Sequence, residues 1–303
     1  MTEVWKALTG GVLENESTRV IILDSRLPRA LTAILAGGSL ALGGMLMQTL
    51  FRNPLAGPSV LGVSSGASLG VAILVMAGTS IGSRSFVPGV IALSAISGAL
   101  LVLMIIILVA GRLKDNTTLL IFGIMLSFFT GAIVDALQFS TGNESLRVYI
   151  TWGMGSFAST SLTEISWMLI ALTTGMIITA TLLRRLDIFL LGPVYANSMG
   201  INTRRTGLLM IIASGILAGA ATAWCGPVAF IGLAVPHIIR SWYRTLIHRR
   251  TWIPVVLLGA VLAMFCDLIS LLLNLPLNTI ASALGAPVVI WIIIRGSKSN
   301  AIL

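Results

Sequence analysis

Two carboxylates, Asp135 and Asp267, lie inside long apolar stretches of the sequence. A charged side chain at membrane depth is costly, and such residues generally face a wet cavity or a hydrogen-bonding partner. Asp135 stands near one end of its stretch with Gln138 one turn later, so we expect it to face a water-filled vestibule. For Asp267 we expect a buried structural hydrogen bond. Proton coupling through either carboxylate is the alternative interpretation.

Groups that could hold a metal ion are sparse. The chain has two histidines, His237 and His248, and two cysteines, Cys225 and Cys266. No paired Cys or Glu stands near either histidine, which argues against a metal site. We expect His237 to be hydrogen-bonded in a helix–helix contact. Because no catalytic cluster is evident either, we predict a protein that is not an enzyme and has no catalytic residues, metal or other cofactor.

The sequence also lacks the phosphate-binding loop of an ATPase. That loop reads Gly-x-x-x-x-Gly-Lys-Ser/Thr, and none of the three lysines, Lys6, Lys114 and Lys298, follows a glycine. Any ATP-driven activity must therefore borrow its ATPase from another subunit. The alternative to an ATP-driven protein is a carrier driven by an ion gradient. Such a carrier needs titratable groups within the membrane, and Asp135 and Asp267 alone support it weakly.

The composition indicates that lipid is the main solvent of the chain. Of 303 residues, 56% are hydrophobic and only 10% are charged, whereas soluble domains carry about 25% charged residues. Glycine is abundant, with 31 residues, as expected where membrane helices approach closely. The net charge of +9 is explained by basic loops on one side of a bilayer. We therefore predict no nucleic-acid partner.

A membrane-spanning helix needs about 20 mostly apolar residues, and nine segments are candidates. They lie at about 30–50, 59–79, 88–111, 117–139, 164–183, 206–225, 230–246, 252–273 and 279–294. We therefore predict an all-α, polytopic helical bundle that forms one integral membrane domain over residues 1–303. Because Gly226 and Pro227 separate the sixth and seventh segments, we expect a tight or partly re-entrant connection there.

Alternate loops of this bundle differ in charge. One set carries 13 basic residues, and the opposite set carries six if the N-terminus lies there. The positive side faces the cytoplasm, which places the C-terminus inside and, with nine spans, the N-terminus outside. We expect residues 1–29 to form an external or interfacial segment. A further helix upstream of Met1, which would give ten spans, is the alternative.

Glycines recur at four-residue spacing in two segments. Gly62, Gly66 and Gly70 form one stripe, and Gly215 and Gly219 form a second pair. Glycine lets helix backbones approach without obstruction by side chains. We therefore predict tight helix packing at both places, with direct contact to a transported substrate as the alternative.

The longest cytoplasmic loop covers residues 184–205. It carries large apolar residues on both sides of a Gly192–Pro193 turn, which predicts two very short helices joined at that turn. Because exposed apolar groups mark interaction sites, we expect this loop to dock against another protein. A solvated connector is the alternative.

Three blocks of sequence resemble the FecCD/BtuC-type permease family of ABC importers. The first, over residues 26–70, contains RLPR at 26–29, RNPLA at 52–56 and LGVS at 61–64. The second reads GPVAFIGLAVPHIIR at 226–240, and the third reads ALGAPVVIWIIIR at 283–295. They occur in the family's order along nearly the whole chain. The resemblance implies a type II ABC importer permease of ten helices, nine of which are visible here.

The resemblance implies the transmembrane permease of an importer in the bacterial inner membrane. Its cargo would be an iron chelate, either a siderophore complex or haem, with cobalamin as the alternative. Its partners would be a second permease copy in a homodimer, two cytoplasmic ATPase subunits, a periplasmic or lipid-anchored substrate-binding protein, and membrane lipid.

The RLPR motif bears on the substrate-binding protein. In the family, external arginines at this motif receive acidic residues of that partner, which assigns the docking role to Arg26 and Arg29. Charge-assisted pairs orient a partner and speed its encounter. Interfacial anchors that snorkel to lipid headgroups are the alternative. The family carries a further external Arg where this chain has Leu271, so docking chemistry on that side differs.

The resemblance places the inner gate at the turn before the fourth segment. Small polar side chains suit a constriction that opens without leaving a bulky charge unsatisfied, and an N-cap by Asn116 or Thr117 is compatible with that role. The candidate gate residues are Asn116, Thr117, Thr118 and Leu119. The candidate pathway residues on the helix that follows are Met125, Ser127 and Phe128.

Loop 184–205 matches the family's coupling element, which seats in a groove of the ATPase. Family members often have Gly-Asp/Glu-Glu where this chain has GPV at 192–194, so the contact should carry less charge. The stretch ANSMGIN at 196–202 fits the family's pattern, and we expect a positive φ at Gly200 that ends a helix. The candidate coupling residues are Leu191, Gly192, Tyr195, Met199 and Gly200.

Overall fold

The computed structural model describes residues 16–77, 88–113 and 115–300, and every regular element within them is helical. The helices are α1 (Leu27–Phe51), α2 (Val63–Ala72), α3 (Pro88–Ala110), α4 (Asn116–Phe139), α5 (Asn143–Gly153), α6 (Leu162–Phe189), α7 (Pro193–Ser198), α8 (Thr203–Cys225), α9 (Ile231–Tyr243), α10 (His248–Leu273) and α11 (Leu277–Asn300). Shorter helical turns are Glu16–Val20 and Ile21–Arg26 before α1, Pro58–Leu61 before α2, and Ile73–Ala77 after it. The predicted all-α membrane bundle is confirmed.

Each of the nine predicted spans contains a helix, although the helices differ in length. Six are long and apolar enough to cross a membrane: Thr18–Phe51, Gly89–Ala110, Asn116–Phe139, Leu162–Phe189, Thr203–Cys225 and His248–Leu273. Val63–Met76 and Leu277–Trp291 are shorter apolar helices. Helix α9 has 13 residues, or about 20 Å at 1.5 Å per residue. It is too short to cross a hydrocarbon core of about 30 Å alone.

The described part of the predicted N-terminal segment is helical. Glu16–Val20 and Ile21–Arg26 lead directly into α1, so Thr18–Phe51 forms one helix of 34 residues. Arg26 and Arg29 therefore lie on a continuous helix. Residues 1–15, which complete the predicted external or interfacial segment, lie outside the described residues.

Helix α1 runs through the centre of the bundle and packs against α6, α8, α9 and α10. In its most apolar window, 83% of the residues are buried. Two glycine pairs bring its backbone against its neighbours. A Cβ on Gly37 would collide with the carbonyl oxygen of Gly259 in α10, and a Cβ on Gly44 would collide with that of Gly232 in α9. The glycine content of α1 thus permits its central position.

The backbone leaves the helix between α8 and α9, as the Gly226–Pro227 pair predicts. The groups on both sides of this turn are paired: Ser156 N–H donates to Cys225 O (2.9 Å), and Asn278 Oδ1 accepts from Ala229 N–H (3.1 Å). Because Gly232, at the start of α9, touches the carbonyl of Leu40 within α1, α9 begins inside the bundle. The connection is therefore partly re-entrant, and protein groups replace water around its backbone.

Arginines gather at one end of the bundle, where α1, α3 and α6 end and α4, α8 and α10 begin. They are Arg52, Arg112, Arg184, Arg185, Arg204, Arg205, Arg240, Arg244, Arg249 and Arg250. We call this the basic end, and the positive-inside rule places it in the cytoplasm. The opposite, outer end carries Arg19, Arg26, Arg29 and Arg147 among the described residues.

Candidate functional site

Arg29 and Asp267 form a bidentate ion pair between α1 and α10. Arg29 Nε lies 2.8 Å from Asp267 Oδ2, and the second bond, from Nη2 to Oδ1, is also 2.8 Å. The two side chains are 23% and 11% exposed. The expected buried partner of Asp267 is thus a guanidinium. Docking of a binding protein by Arg29 stays a prediction, and its guanidinium is already engaged within the chain.

Arg26 lies one helical turn before Arg29 and is exposed. It belongs to neither of the two ion pairs found within the described residues. Its guanidinium is therefore available at the outer end for an acidic partner. Of the two arginines assigned to docking, Arg26 is the more exposed, and its docking role stays a prediction.

The start of α4 differs from the sequence-based expectation. The N-cap is Asp115, whose Oδ2 accepts from Thr118 N–H at 3.1 Å, and not Asn116 or Thr117. The cap precedes the first helical residue, and α4 begins at Asn116, one position earlier than predicted. The hydrogen bond from the Thr118 backbone, followed by that from Thr117, lowers the pKa of the exposed Asp115 carboxyl. Its negative charge lies at the N-terminus of α4, where the helix dipole is stabilised by an anion.

The four predicted gate residues face different surroundings. Asn116 Nδ2 donates to the carbonyl of Leu50 at 2.9 Å, which ties the start of α4 to the end of α1. Leu119 is buried in the hydrophobic core, whereas Thr117 and Thr118 are exposed. Of the four, only the two threonines are exposed, and the hydroxyl of Thr118 donates to Asp115 Oδ2 at 3.3 Å; the gate role stays a prediction.

Of the three predicted pathway residues, two are exposed and one faces the bundle. Met125 and Phe128 lie one turn apart on an exposed face of α4, with Phe128 70% exposed. Ser127 points back into the bundle: its hydroxyl donates to the carbonyl of Gly123 at 2.9 Å and lies 3.1 Å from the position of a Cβ on Gly62. Of these three residues, only Met125 and Phe128 lie on the surface of the chain, and their pathway role stays a prediction.

The predicted glycine contacts bring α2 against α3. A Cβ on Gly66 would lie 2.6 Å from the carbonyl oxygen of Gly98, and one on Gly70 would collide with that of Ser94. Gly62 has a φ of 77° and precedes α2, so its role is a left-handed turn. Gly215 in α8 leaves room for Leu103, because a Cβ on Gly215 would lie 2.5 Å from Leu103 Cδ1. A Cβ on Gly219 would make only an ordinary contact with Ala99.

The predicted coupling loop is shorter than residues 184–205. Helix α6 continues to Phe189, and one short helix, α7, follows, so the prediction of two short helices is wrong. Residues 184–189 extend a long apolar helix whose last turns, at Leu186 and Phe189, are buried in the core. The connection between α6 and α8 is therefore residues 190–202, which we call the coupling segment.

The coupling segment exposes its large apolar side chains. Leu191, Tyr195 and Met199 are all exposed, with Tyr195 at 65%. Gly192 and Gly200 have φ angles of 102° and 78°, which L-residues with side chains rarely adopt. The two glycines frame α7 and set the path of the chain, and the positive φ predicted for Gly200 is present.

A hydrogen-bonded chain links the approach to this segment with the core, and the sequence did not predict it. His248 is buried; its Nδ1 lies 2.8 Å from Asp187 Oδ1, and its Nε2 lies 2.7 Å from Thr49 Oγ1. The His248 backbone N–H also donates to Asp187 Oδ1, at 2.6 Å. Three helices, α1, α6 and α10, are thus joined at the basic end, two residues before α6 ends.

A cavity of about 550 Å³ lies at the basic end, between the predicted gate and the coupling segment. Asn116, Thr117 and Leu119 line it from α4, and Phe189 at the end of α6 and Thr203 at the start of α8, the residues on either side of the coupling segment, also line it. The predicted gate and the two helix ends that flank the coupling segment therefore border the same space. Within the described residues, no cluster of metal-ligating side chains is found.

Relatives with known names match the chain over most of its length. The profile of the FecCD transport family matches residues 1–295. The vitamin B12 import system permease protein BtuC of Salmonella typhi is 35% identical over 286 residues, which cover 92% of this chain and 85% of the relative. BtuC of Salmonella typhimurium matches with the same identity and coverage.

Solved structures share the fold. A structure assigned to a metal-chelate type ABC transporter, in an inward-facing conformation, superposes with a TM-score of 0.84 at 27% identity, over 94% of this chain and 90% of that chain. PsaBC from Streptococcus pneumoniae superposes with a TM-score of 0.63 at 15% identity, over 95% and 93%, which shows a shared fold alone. The chain therefore belongs to the FecCD transport family and is a multi-pass, inner-membrane permease of an ABC importer.

Proposed function

We propose that this permease moves an iron chelate, a siderophore complex or haem, across the inner membrane with energy from separate ATPase subunits. The observation that carries the proposal is the coupling segment. Residues 190–202 expose Leu191, Tyr195 and Met199 at the basic end, in a chain whose sequence has no phosphate-binding loop. Exposed apolar anchors of this kind are typical of a protein interface, and the positive-inside rule places them in the cytoplasm with the ATPase.

The coupling segment is connected directly to two membrane-spanning helices. Its two ends continue into α6 and α8, both of which pack against the central α1. Ala196 within the segment and Phe189 directly before it are buried and hold the segment against the bundle. A shift of the segment therefore moves two spanning helices and the cavity that Thr117 of the predicted gate borders.

A second copy of the chain is proposed to cover α4. Only 22% of the apolar window of α4 is buried, the lowest share among the six long apolar helices of the described chain. Met125 and Phe128 stand on its exposed face. In a two-fold dimer both copies present the same surface, so the pathway would run between two α4 helices with Thr117 and Thr118 at its inner end.

A substrate-binding protein is proposed to dock at the outer end through Arg26. Its exposed guanidinium suits a charge-assisted bond to an acidic residue. Arg29 contributes positive potential while its bond to Asp267 holds the helix in place. The partner would deliver the chelate above the space between the two permease copies.

Two similarities to known proteins favour two different cargoes. The structure assigned to a metal-chelate type transporter, at 27% identity, supports an iron chelate. The permeases named for vitamin B12 import, at 35% identity, support cobalamin as the second candidate. Both cargoes are large and would need the wide, weakly interacting face that Met125 and Phe128 offer.

The test is uptake by the full complex. Proteoliposomes that hold the permease, its ATPase and its binding protein are supplied with ATP and with a radiolabelled ferric siderophore, haem or cyanocobalamin. The proposal predicts ATP-dependent uptake of an iron chelate that excess cyanocobalamin does not inhibit. ATP-dependent uptake of cyanocobalamin alone would overturn the cargo assignment in favour of the second candidate.

A further inference from the structure

Beyond Thr118, the exposed side chains of α4 are apolar except at a single position. Most of them recur three or four residues apart, the spacing of one helical face. They are Ile121, Met125, Phe128, Ala132, Asp135 and Phe139, with Phe129 beside Phe128, and we call these seven residues the open face of α4. Asp135 is the acidic member of this set.

The Asp135 carboxylate is not neutralised by the described part of the chain. Neither of the two ion pairs found there includes it, and its hydrogen-bonding neighbour in that part of the chain is Gln138 Nε2, at 3.5 Å. Arg147 on α5 lines a cavity with Trp152 and Trp224, and Asp135 is not among the residues that line it. Asp135 therefore presents an uncompensated acidic group on an otherwise apolar face.

A carboxylate at this place cannot face lipid at low cost. Ionisable residues within membrane-spanning segments face a bundle interior, a partner or a water-filled cavity. Asp135 lies four residues before Phe139, where α4 ends, or about 6 Å from the outer end at 1.5 Å per residue. The open face therefore meets a wet space at its outer end, above the apolar stretch that Met125 and Phe128 form.

We propose that Asp135 selects cargo by charge at the outer mouth of the pathway, favouring cationic or neutral chelates over anionic ones. This inference rests on the proposed function, in which two copies face each other across α4. Two-fold symmetry then brings two Asp135 carboxylates to the same mouth. Their field repels an anionic complex, and their oxygens accept hydrogen bonds from ammonium, hydroxyl or amide groups of the cargo.

The expected size of the selection follows from Coulomb's law. In water, two unit charges about 4 Å apart interact by about 1 kcal/mol. At 1.36 kcal/mol for each factor of ten, that energy is about a fivefold change in rate. Removal of the carboxylate should therefore raise uptake of anionic complexes relative to cationic ones by about fivefold or more, since two carboxylates act on each cargo.

The test compares Asp135→Asn with the unaltered permease in proteoliposomes that also hold its ATPase and binding protein. Three ferric complexes serve as probes: a trihydroxamate with a free amine, which is cationic, a neutral trihydroxamate, and an anionic tricatecholate. Uptake is measured at saturating binding protein, and affinity of that protein for each probe is measured separately. The proposal predicts a rise in the anionic-to-cationic uptake ratio in Asp135→Asn, and a ratio near the original in Asp135→Glu.

Two controls make the outcomes distinct. Gln138→Glu adds a second carboxylate one turn away and should shift the ratio in the opposite direction. Glu144→Gln removes an exposed acid from α5, off the open face, and should leave the ratio unchanged. An unchanged ratio in Asp135→Asn, or an equal shift in Glu144→Gln, would overturn the inference. Absence of ATP-dependent uptake of every probe by the unaltered complex would instead contradict the proposed function.

Discussion

At the scale of single residues, the bond between Arg29 and Asp267 fixes α1 to α10 inside an apolar bundle. Both oxygens of Asp267 are engaged by one guanidinium, and neither group has full access to water. Loss of one partner leaves the other charge partly buried and unpaired, which costs more than the pair itself contributes. The pair therefore fixes the position of α1 relative to α10.

Asp267→Asn should destabilise the permease by about 2–3 kcal/mol, less than the roughly 3–5 kcal/mol of a fully buried broken pair, because Arg29 keeps some exposure. Thermal unfolding in detergent measures this. The double variant Arg29→Met/Asp267→Leu should recover most of the loss, because apolar side chains replace a buried pair at little cost. A double variant no more stable than Asp267→Asn would contradict this account of the pair.

The same double variant separates two roles of Arg29. If Arg29 docks the binding protein in addition to holding Asp267, the stable double variant should bind that protein more weakly, as Arg26→Glu should. If Arg29 only holds Asp267, binding should be unchanged in the double variant and lost in Arg26→Glu. Binding titrations at low and high salt distinguish the two, since exposed charge pairs are screened by salt.

The sequence reveals an acid in an apolar run but not its partner. Asp267 could be predicted to need a hydrogen bond because charge inside a hydrophobic segment is costly. Arg29, 238 positions away in the sequence, could be placed only once α1 and α10 were known to be neighbours. The contacts of His248 with Asp187 and Thr49 were missed for the same reason, since each partner lies on a different helix.

At the scale of the helices, close backbone contact decides which positions must be glycine. Gly44 of α1 lies against the carbonyl of Gly232, whereas Gly131 of α4 has no atom within 4 Å of where its Cβ would be. Gly44→Ala should therefore lower stability by about 1–3 kcal/mol through overpacking. Gly131→Ala should be neutral or slightly stabilising, because alanine favours a helix over glycine.

Both variants are measured by thermal unfolding of the purified permease in the same detergent. Equal melting temperatures for Gly44→Ala and Gly131→Ala would contradict the close contact between α1 and α9. The comparison is matched, since each variant adds one methyl group to a membrane helix.

The coupling segment should behave as a set of interface anchors. Tyr195→Ala and Met199→Ala should each weaken ATPase association by about 1–3 kcal/mol, as truncation of a desolvated anchor does. Gly200→Val should be worse, because valine is strained at a φ of 78°. Co-purification of the ATPase measures this, with Trp167→Ala as the control, an equally exposed aromatic on the spanning helix α6.

Full retention of the ATPase by the triple variant Tyr195→Ala/Met199→Ala/Gly200→Val would make the segment a mere connector. Binding of the substrate-binding protein at the outer end should persist in every one of these variants. Loss of both partners together would indicate misfolding instead of a broken interface.

Helices were predictable from the sequence where hydropathy alone determines them. Every predicted span contains a helix, because about 20 apolar residues have few other solutions in lipid. Helix α5 was missed because its 11 residues, NESLRVYITWG, mix charged and apolar side chains and are too short to span. The end of α6 was misplaced because Leu186 and Phe189 continue a buried face through the two arginines, Arg184 and Arg185.

At the scale of the whole molecule, we expect that the permease supplies none of the energy for transport. Its chain holds no phosphate-binding loop, and its two intramembrane acids have other roles available: Asp267 is paired to Arg29, and Asp135 stands at the outer end of α4. We therefore expect the driving force to enter through the basic end, where the coupling segment exposes its apolar side chains and where the predicted gate lines a cavity.

The most direct test of this account is uptake of a ferric chelate by proteoliposomes that hold the complete complex, with ATP or an imposed proton gradient as the sole energy source. The account predicts uptake that requires hydrolysable ATP on the ATPase side, persists when a protonophore dissipates the gradient, and survives Asp135→Asn. Uptake that proceeds on a proton gradient without ATP, and is abolished by neutralising either intramembrane carboxylate, would contradict it.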